Sequence, residues 1–314
     1  MDVRPERLVV LGSILMDVTV WVDRWPDRGG DVRARDGKAL VGGAFNVIAA
    51  ARRLGLKTVY GGLIGQGVFA DRVREALREV DVPALLDPPP HGRGDTGFDI
   101  AVVEADGERT FVTAPGAEAC LEPGDLARIR FQAGDCVYLS GYDLTYPGSG
   151  PTLETLGLAL PPDARLVLDP GPLAAEIPAR RLNAIFNRLS LLTLNRREGT
   201  LLTQESDPEK VLSALWRRLP PTCSVVLRLG PEGALVGGHA DPLRRVPARP
   251  VTARDTTGAG DIHTAVLLAR LAEGQTLQDA THDANVAASW AVERPGPSQG
   301  PSREVLEQLL AGRR

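Results

Sequence analysis

Asp255-Thr256-Thr257-Gly258-Ala259-Gly260-Asp261 runs directly into an apolar stretch, Ile262 to Ala272, that reads as a helix. Glycines 258 and 260 carry no Cβ, so the chain can turn tightly and present several unpaired N–H groups to an anion. The helix dipole adds positive potential at the same point. Asp261, at the helix start, is placed to take the proton of an attacking hydroxyl as a bond to phosphorus forms. One heptapeptide thus supplies an anion hole and a base. The plainer alternative is a Gly-rich loop in which Asp261 only caps the helix, since Asp is a favoured capping residue.

Outward from this turn, short β-rich runs alternate with helical patterns. Leu8 to Gly12, Thr58 to Leu63, Val137 to Ser140, Leu166 to Asp169, Leu191 to Leu194 and Ser224 to Leu229 read as buried strands. Phe45 to Leu54, Ala70 to Val80, Pro208 to Arg218 and Leu277 to Val292 read as helices. The alternation predicts an α/β fold, a doubly wound and mostly parallel sheet with helices on both faces. Ligands then belong at the carboxyl ends of its strands. Two stretches break the pattern. Val18 to Val22 and Phe98 to Val102 show period-two hydrophobicity with no helix after them, and the second continues through the turn signal Asp106-Gly107 into Arg109 to Val112. With Val32 to Ala39 they form either a small separate sheet or edge strands of the main one.

The chain of 314 residues, 43% hydrophobic, is long enough for one large core and an appendage. Its net charge of -4, with no basic cluster among aromatics, gives no nucleic-acid footprint. The charged first residues and the lack of any apolar run of membrane-spanning length predict a cytoplasmic protein with no membrane partner. Cys120, Cys136 and Cys223 lack a C-x-x-C pattern, and His91, His239, His263 and His282 lack metal-ligand spacing.

The heptapeptide resembles the C-terminal signature of the ribokinase-like (phosphofructokinase-B) carbohydrate kinases, and further motifs follow in that family's order from Asp17 to Ser298. The resemblance implies that the Gly258, Ala259 and Gly260 amides form the hole for the migrating phosphate and that Asp261 is the base. It implies a main domain of residues 1–13, 41–94 and 115–314 and a discontinuous β-lid of residues 14–40 and 95–114 over the sugar site. The outer face of such a lid can pair with a second copy, giving a homodimer.

Within this frame Asp17, after the first strand, is the carboxylate that binds substrate hydroxyls; read alone, it is a turn Asp bonded to its own backbone. Gly42-Gly43-Ala44-Phe45-Asn46 resembles the family's Gly-Gly motif with its substrate-binding Asn, one residue shorter than the usual Gly-Gly-x-x-x-Asn, so that Val41 falls at the first Gly. Asn195-Arg196-Arg197-Glu198 matches Asn-x-x-Glu, which organises magnesium around the nucleotide phosphates, and also matches a helix capping box. Leu227-Arg228-Leu229-Gly230-Pro231-Glu232-Gly233 resembles the nucleotide segment Thr-x-Gly-x-x-Gly with Arg228 in place of Thr; the Arg either binds phosphate or points to solvent. Asn285 falls beside the adenine in the family, although an Asn on an Ala-rich helix is by default simply buried or solvated. Asp255, Thr257 and the Arg294-to-Ser298 segment resemble the loops that hold a monovalent cation such as potassium. Tyr142 either lines the pocket or sits at its solvent edge.

The resulting expectation is an ATP-dependent kinase, requiring Mg2+ and with K+ as a candidate activator, that phosphorylates a hydroxymethyl group of a small sugar. The rivals are a nucleoside or vitamin-alcohol kinase of the same superfamily and a non-catalytic sugar-binding regulator. A nicotinamide dehydrogenase is set aside, because Gly12-Ser13-Ile14-Leu15-Met16 lacks the G-x-G-x-x-G loop.

Overall fold

The computed structural model describes residues 5–87, 89, 92–105, 108–239, 242–294 and 300–312. Their strands are β1 (Arg7–Val10), β2 (Ile14–Trp21), β3 (Asp36–Gly43), β4 (Thr58–Tyr60), β5 (Phe98–Val103), β6 (Arg109–Ala114), β7 (Asp135–Ser140), β8 (Arg165–Asp169), β9 (Leu191–Asn195), β10 (Ser224–Arg228), β11 (Ala234–Gly238) and β12 (Arg244–Val246). They form an 8-stranded sheet in the order β12-β11-β10-β9-β8-β7-β1-β4 and a 4-stranded sheet in the order β3-β2-β5-β6. From β4 to β10 every pairing in the large sheet is parallel, while β11 and β12 add an antiparallel edge.

Strand side chains alternate between two helix layers, because successive residues point to opposite faces. Leu8 and Val10 join one core with the helices Phe45–Arg53, Ala259–Ala272 and Leu277–Val292. Val9 and Leu11 join the other, with Ala179–Phe186 and Pro208–Trp216. These strand residues are fully or almost fully buried, each contributing about 1.5–3 kcal/mol of hydrophobic stabilisation. Continuous apolar runs are what a sheet covered on both sides requires.

The parallel register brings the carboxyl ends of β7 to β10 to one edge, so Ser140, Asp169, Asn195 and Arg228 end successive strands there. Chain order reverses at β1, whose neighbours are β4 and β7, and ligands bind in the crevice at such a reversal. The small sheet leaves the large one just after β1 and overhangs this crevice.

The period-two stretches therefore form a separate sheet, not edge strands. The turn Asp106-Gly107 lies outside the described residues, but β5 and β6 on either side of it pair antiparallel. Sequence reading started the third lid strand too early and stopped it too soon. β3 continues through Gly42 and Gly43, so the Gly-Gly pair ends a lid strand and does not open the following helix. Cross-strand pairing with Ile14 and Leu15 carries the strand as far as Gly43, whose φ of +63 turns the chain out of it towards the helix.

Candidate active site

Gly258 has φ +73, the left-handed turn that lets the helix Ala259–Ala272 begin abruptly, with Asp261 in its first turn. The Ala259 amide donates to the Thr256 carbonyl at 3.2 Å, whereas the Gly258 and Gly260 amides donate to no carbonyl among the described residues. The expected three-amide hole thus has two open members, since the turn itself uses the third. Asp261 Oδ2 accepts from Asn46 Nδ2 at 3.1 Å, so the shortened Gly-Gly-to-Asn spacing still delivers Asn46 to the site. Burial pushes Asp261 up to about 6, with Asn46 opposing and Asp169 adding to the rise. A carboxylate of that strength is ionised at neutral pH yet basic enough to accept a proton.

Asp261, Thr257 and Gly258 form one wall of a cavity of about 370 Å3 that also contains Gly43, Asn46, Asp99, Tyr142 and Asp143. Tyr142 therefore lines the pocket. Asp17 lies beside Asp99 on the cavity-facing side of the small sheet, set back over Gly42. A Cβ on Gly42 would lie 2.9 Å from Asp17 Cβ and 3.3 Å from its Oδ2. Gly42→Ala is expected to displace this carboxylate and raise the acceptor KM by roughly tenfold while leaving the ATP KM near its original value. Steady-state kinetics with each substrate varied in turn checks this.

Asp99 and Asp143 escaped sequence reading. Asp143 is 2% exposed and accepts from the Ser13 amide at 3.2 Å and from Ser13 Oγ, and burial pushes it up to about 7. No local pattern marks either residue; both enter the site through strand register and strand-end position.

On the far side of the turn, Thr256 and Ala259 line a second cavity of about 600 Å3. Asn195, Arg228, Gly230, Gly233 and Asn285, the residues expected to contact nucleotide, all line it. Gly233 has φ +91, and a Cβ there would lie 2.0 Å from the Val246 carbonyl, so the segment requires glycine. Arg228 does not point to solvent. Its Nη1 donates to Asp169 Oδ2 at 3.0 Å, Thr193 Oγ1 at 3.1 Å and Thr264 Oγ1 at 3.3 Å, and Nη2 lies 3.5 Å from Glu198 Oε2. The guanidinium also lies beside Gly260, 3.5 Å from where a Cβ would stand, reinforcing the positive end of the helix.

Asn195 and Glu198 form the complete capping box of the alternative reading, with Glu198 N donating to Asn195 Oδ1 at 2.9 Å and Asn195 N donating to Glu198 Oε2 at 2.7 Å. Burial and the Asp169 charge push Glu198 up to about 7 against the pull of Arg228. The described residues contain no cluster of three or more His, Cys, Asp or Glu suited to a metal. A dedicated protein cage is thus absent among them. Asn195 lines the cavity and Glu198, 4% exposed, is bonded behind it, so a magnesium ion carried in by nucleotide phosphates would be held there through water.

Asn285 is 5% exposed, and its Nδ2 donates to the Val246 and Pro247 carbonyls at 3.1 and 3.3 Å. That leaves its Oδ1 facing His263 Nε2 at 3.2 Å, which fixes Nε2 as the protonated nitrogen. His263, lowered to about 3 by burial and the Arg228 charge, is neutral, and its Nδ1 has no partner among the described residues. Sequence reading gave His263 no part in the chemistry, yet it lines the nucleotide-side cavity. Asp255 Oδ1 accepts from the Thr257 amide at 3.0 Å and from Thr257 Oγ1 at 2.8 Å, bracing the turn. Ser298, the third residue of the expected cation loop, lies outside the described residues.

A three-layered core, a sheet between two layers of helices, with a β-lid over the carboxyl ends of its strands and a Gly-rich helix start between two cavities, defines a ribokinase-like sugar kinase. The chain belongs to the pfkB family of carbohydrate kinases, whose family model matches residues 5–304. It is 33% identical over 309 residues to the uncharacterized sugar kinase YegV of Escherichia coli K12, covering 98% of this chain and 94% of the relative. Among solved structures, Arabidopsis thaliana ribokinase complexed with ribose and ATP superposes with a TM-score of 0.77 at 22% identity, covering 98% of this chain and 99% of the other. Adenosine kinase from Sinorhizobium meliloti superposes with a TM-score of 0.81 at 19% identity, covering 99% of this chain and 100% of the other. No helix among the described residues is long and apolar enough to cross a membrane.

Proposed function

We propose that this sugar kinase transfers the γ-phosphoryl group of ATP to a hydroxymethyl group of a small polyol. The observation that carries the reading is the shared wall: Thr256 and Ala259 face one cavity while Thr257, Gly258 and Asp261 face the other. Nucleotide in the larger cavity and acceptor in the smaller one meet at that turn. Asn46 orients Asp261, which takes the hydroxyl proton as the oxygen attacks phosphorus and the bond to ADP breaks. The open amides of Gly258 and Gly260 then hold the equatorial phosphoryl oxygens, each such donor being worth about 3 kcal/mol in the transition state. Magnesium, when bound with nucleotide, neutralises phosphate charge. Arg228 adds a fixed positive charge behind the helix start.

The pH dependence follows from the base. Because Asp261 must be ionised, kcat/KM is expected to climb with unit slope below pH 6 and level off above it, matching a carboxyl at about 6. A rate–pH profile that is flat from 5 to 8 speaks against Asp261 as base. The activity itself is tested by ADP release from ATP and magnesium, with potassium present, across pentoses, ketohexoses, polyols and nucleosides. Release with none of them removes the kinase reading. A nucleoside acceptor is the second reading, favoured by the ring-lined cavity of Phe111, Tyr142 and Tyr146, on which a base can stack. Preference for nucleosides over free sugars in that panel selects it. On the lid face turned away from the cavity Val112 is about half exposed, which supports pairing with a second copy.

A further inference from the structure

The acceptor cavity carries a second lid carboxylate. β2 and β5 pair in parallel with Asp17 opposite Asp99, and residues so paired project from the same face of the sheet. On that face Leu15, Asp99, Phe111 and Thr113 line the cavity. Asp99 is thus the lid acid nearest the acceptor, with Asp17 at its side. The bare Cα of Gly42 makes the room that Asp17 occupies.

The charge around this space has one sign. Asp99, Asp143 and Asp261 line the cavity, and no Lys, Arg or His is among its lining residues. Lys38, on the same sheet face, lies over the Trp21 ring at 5.5 Å. Arg228 is held by Asp169 at 3.0 Å and opens on the other cavity. An acceptor bearing phosphate or carboxylate would enter among acids with no cation to meet it, whereas hydroxyl groups bring the donors that carboxylates need. Asp99 Oδ1 is enclosed and meets no donor among the described residues, the adjacent Asp17 carboxylate being able only to share a proton with Asp99, an arrangement that is costly until a donor arrives. Burial and the adjacent Asp17 charge push Asp99 up to about 7, so near neutrality it can donate as well as accept.

We propose that Asp99 is a specificity residue for the acceptor: with Asp17 it grips neighbouring hydroxyls of an uncharged polyol and turns away acceptors that carry a phosphate or a carboxylate. The inference rests on the kinase reading above. Neither the Gly-rich turn nor the nucleotide cavity requires it, so the two can fail separately.

The test measures ADP formation by the full chain with matched acceptors: free sugars, polyols and nucleosides against their phosphates and their sugar acids. The expected result is a kcat/KM for each uncharged acceptor about 100-fold or more above its anionic counterpart. Asp99→Ala should raise the KM of the preferred acceptor roughly 10- to 100-fold, the scale of a lost hydrogen bond to a charged group, with the ATP KM within about threefold of its original value. Asp99→Asn, which keeps hydrogen-bonding capacity and removes the charge, should raise that KM less and narrow the gap to the anionic acceptors. Preference of the unaltered protein for anionic acceptors overturns the inference and leaves the kinase reading standing, as does an acceptor KM indifferent to Asp99→Ala. Absence of ADP formation with either set removes both.

Discussion

Asp261→Asn is expected to lower turnover by roughly two to four orders of magnitude, the range associated with losing a positioned general base. The amide has nearly the same shape as the carboxylate and can still accept from Asn46 through its oxygen, so the local packing has little reason to move. What it cannot do is take a proton. Dissociation constants for ATP and for the acceptor, read by calorimetry, should therefore change far less than kcat. The variant should also lose the acid limb of the rate–pH profile, because the group that titrates at about 6 is gone. Near-normal turnover would demote Asp261 to an acid that only complements the positive start of the helix.

Arg228→Met should reduce both stability and phosphoryl transfer. In the native protein one guanidinium meets Asp169 at 3.0 Å and Glu198 at 3.5 Å, all with side chains nearly buried. Removing one partner of a buried ion pair leaves uncompensated charge and costs about 3–5 kcal/mol. Glu198 already sits at about 7, and without Arg228 it rises further, so part of the strain is relieved by proton uptake. The sign follows: a carboxyl whose folded value lies above its unfolded one weakens the fold as pH rises between the two. The thermal midpoint of Arg228→Met should therefore fall more steeply from pH 5 to pH 8 than that of the unaltered protein. Adding Asp169→Asn removes one stranded charge and should recover much of the midpoint. It should not recover turnover, since no cation then stands behind the helix start. Recovery of both would make Arg228 a structural counter-ion only.

How far the chain could be read in advance depended on how local each signal was. The parallel strands announced themselves as short apolar runs, because a strand buried on both faces has no polar side to show. The capping box at Asn195 and Glu198 was equally legible, since its partners lie within one helical turn. β11 and β12 were missed: Ala234 to Gly238 is glycine-rich and short, and its strand character comes from pairing with β10. Asp99 and Asp143 were missed for a related reason. Each is an unremarkable acid in its own segment, and it becomes part of a site only when a strand register or a strand end carries it to the crevice.

Arg228 shows the division most sharply. Read along the chain, it was a substitution for threonine with two opposite fates, phosphate contact or solvent. Packing chose neither one in simple form, enclosing the guanidinium between two acids beneath the helix that starts at Ala259. The sequence by itself determined the fold class, the family and the turn that carries the base, because these rest on apolar periodicity and on contiguous residues that need only their neighbours. The tertiary structure alone decided which acids face the acceptor, that Asn46 reaches Asp261 from 215 positions away, and that one turn walls both cavities. Those are facts of distance in space, and only the closure of the sheet and its lid brings such residues within reach of one another.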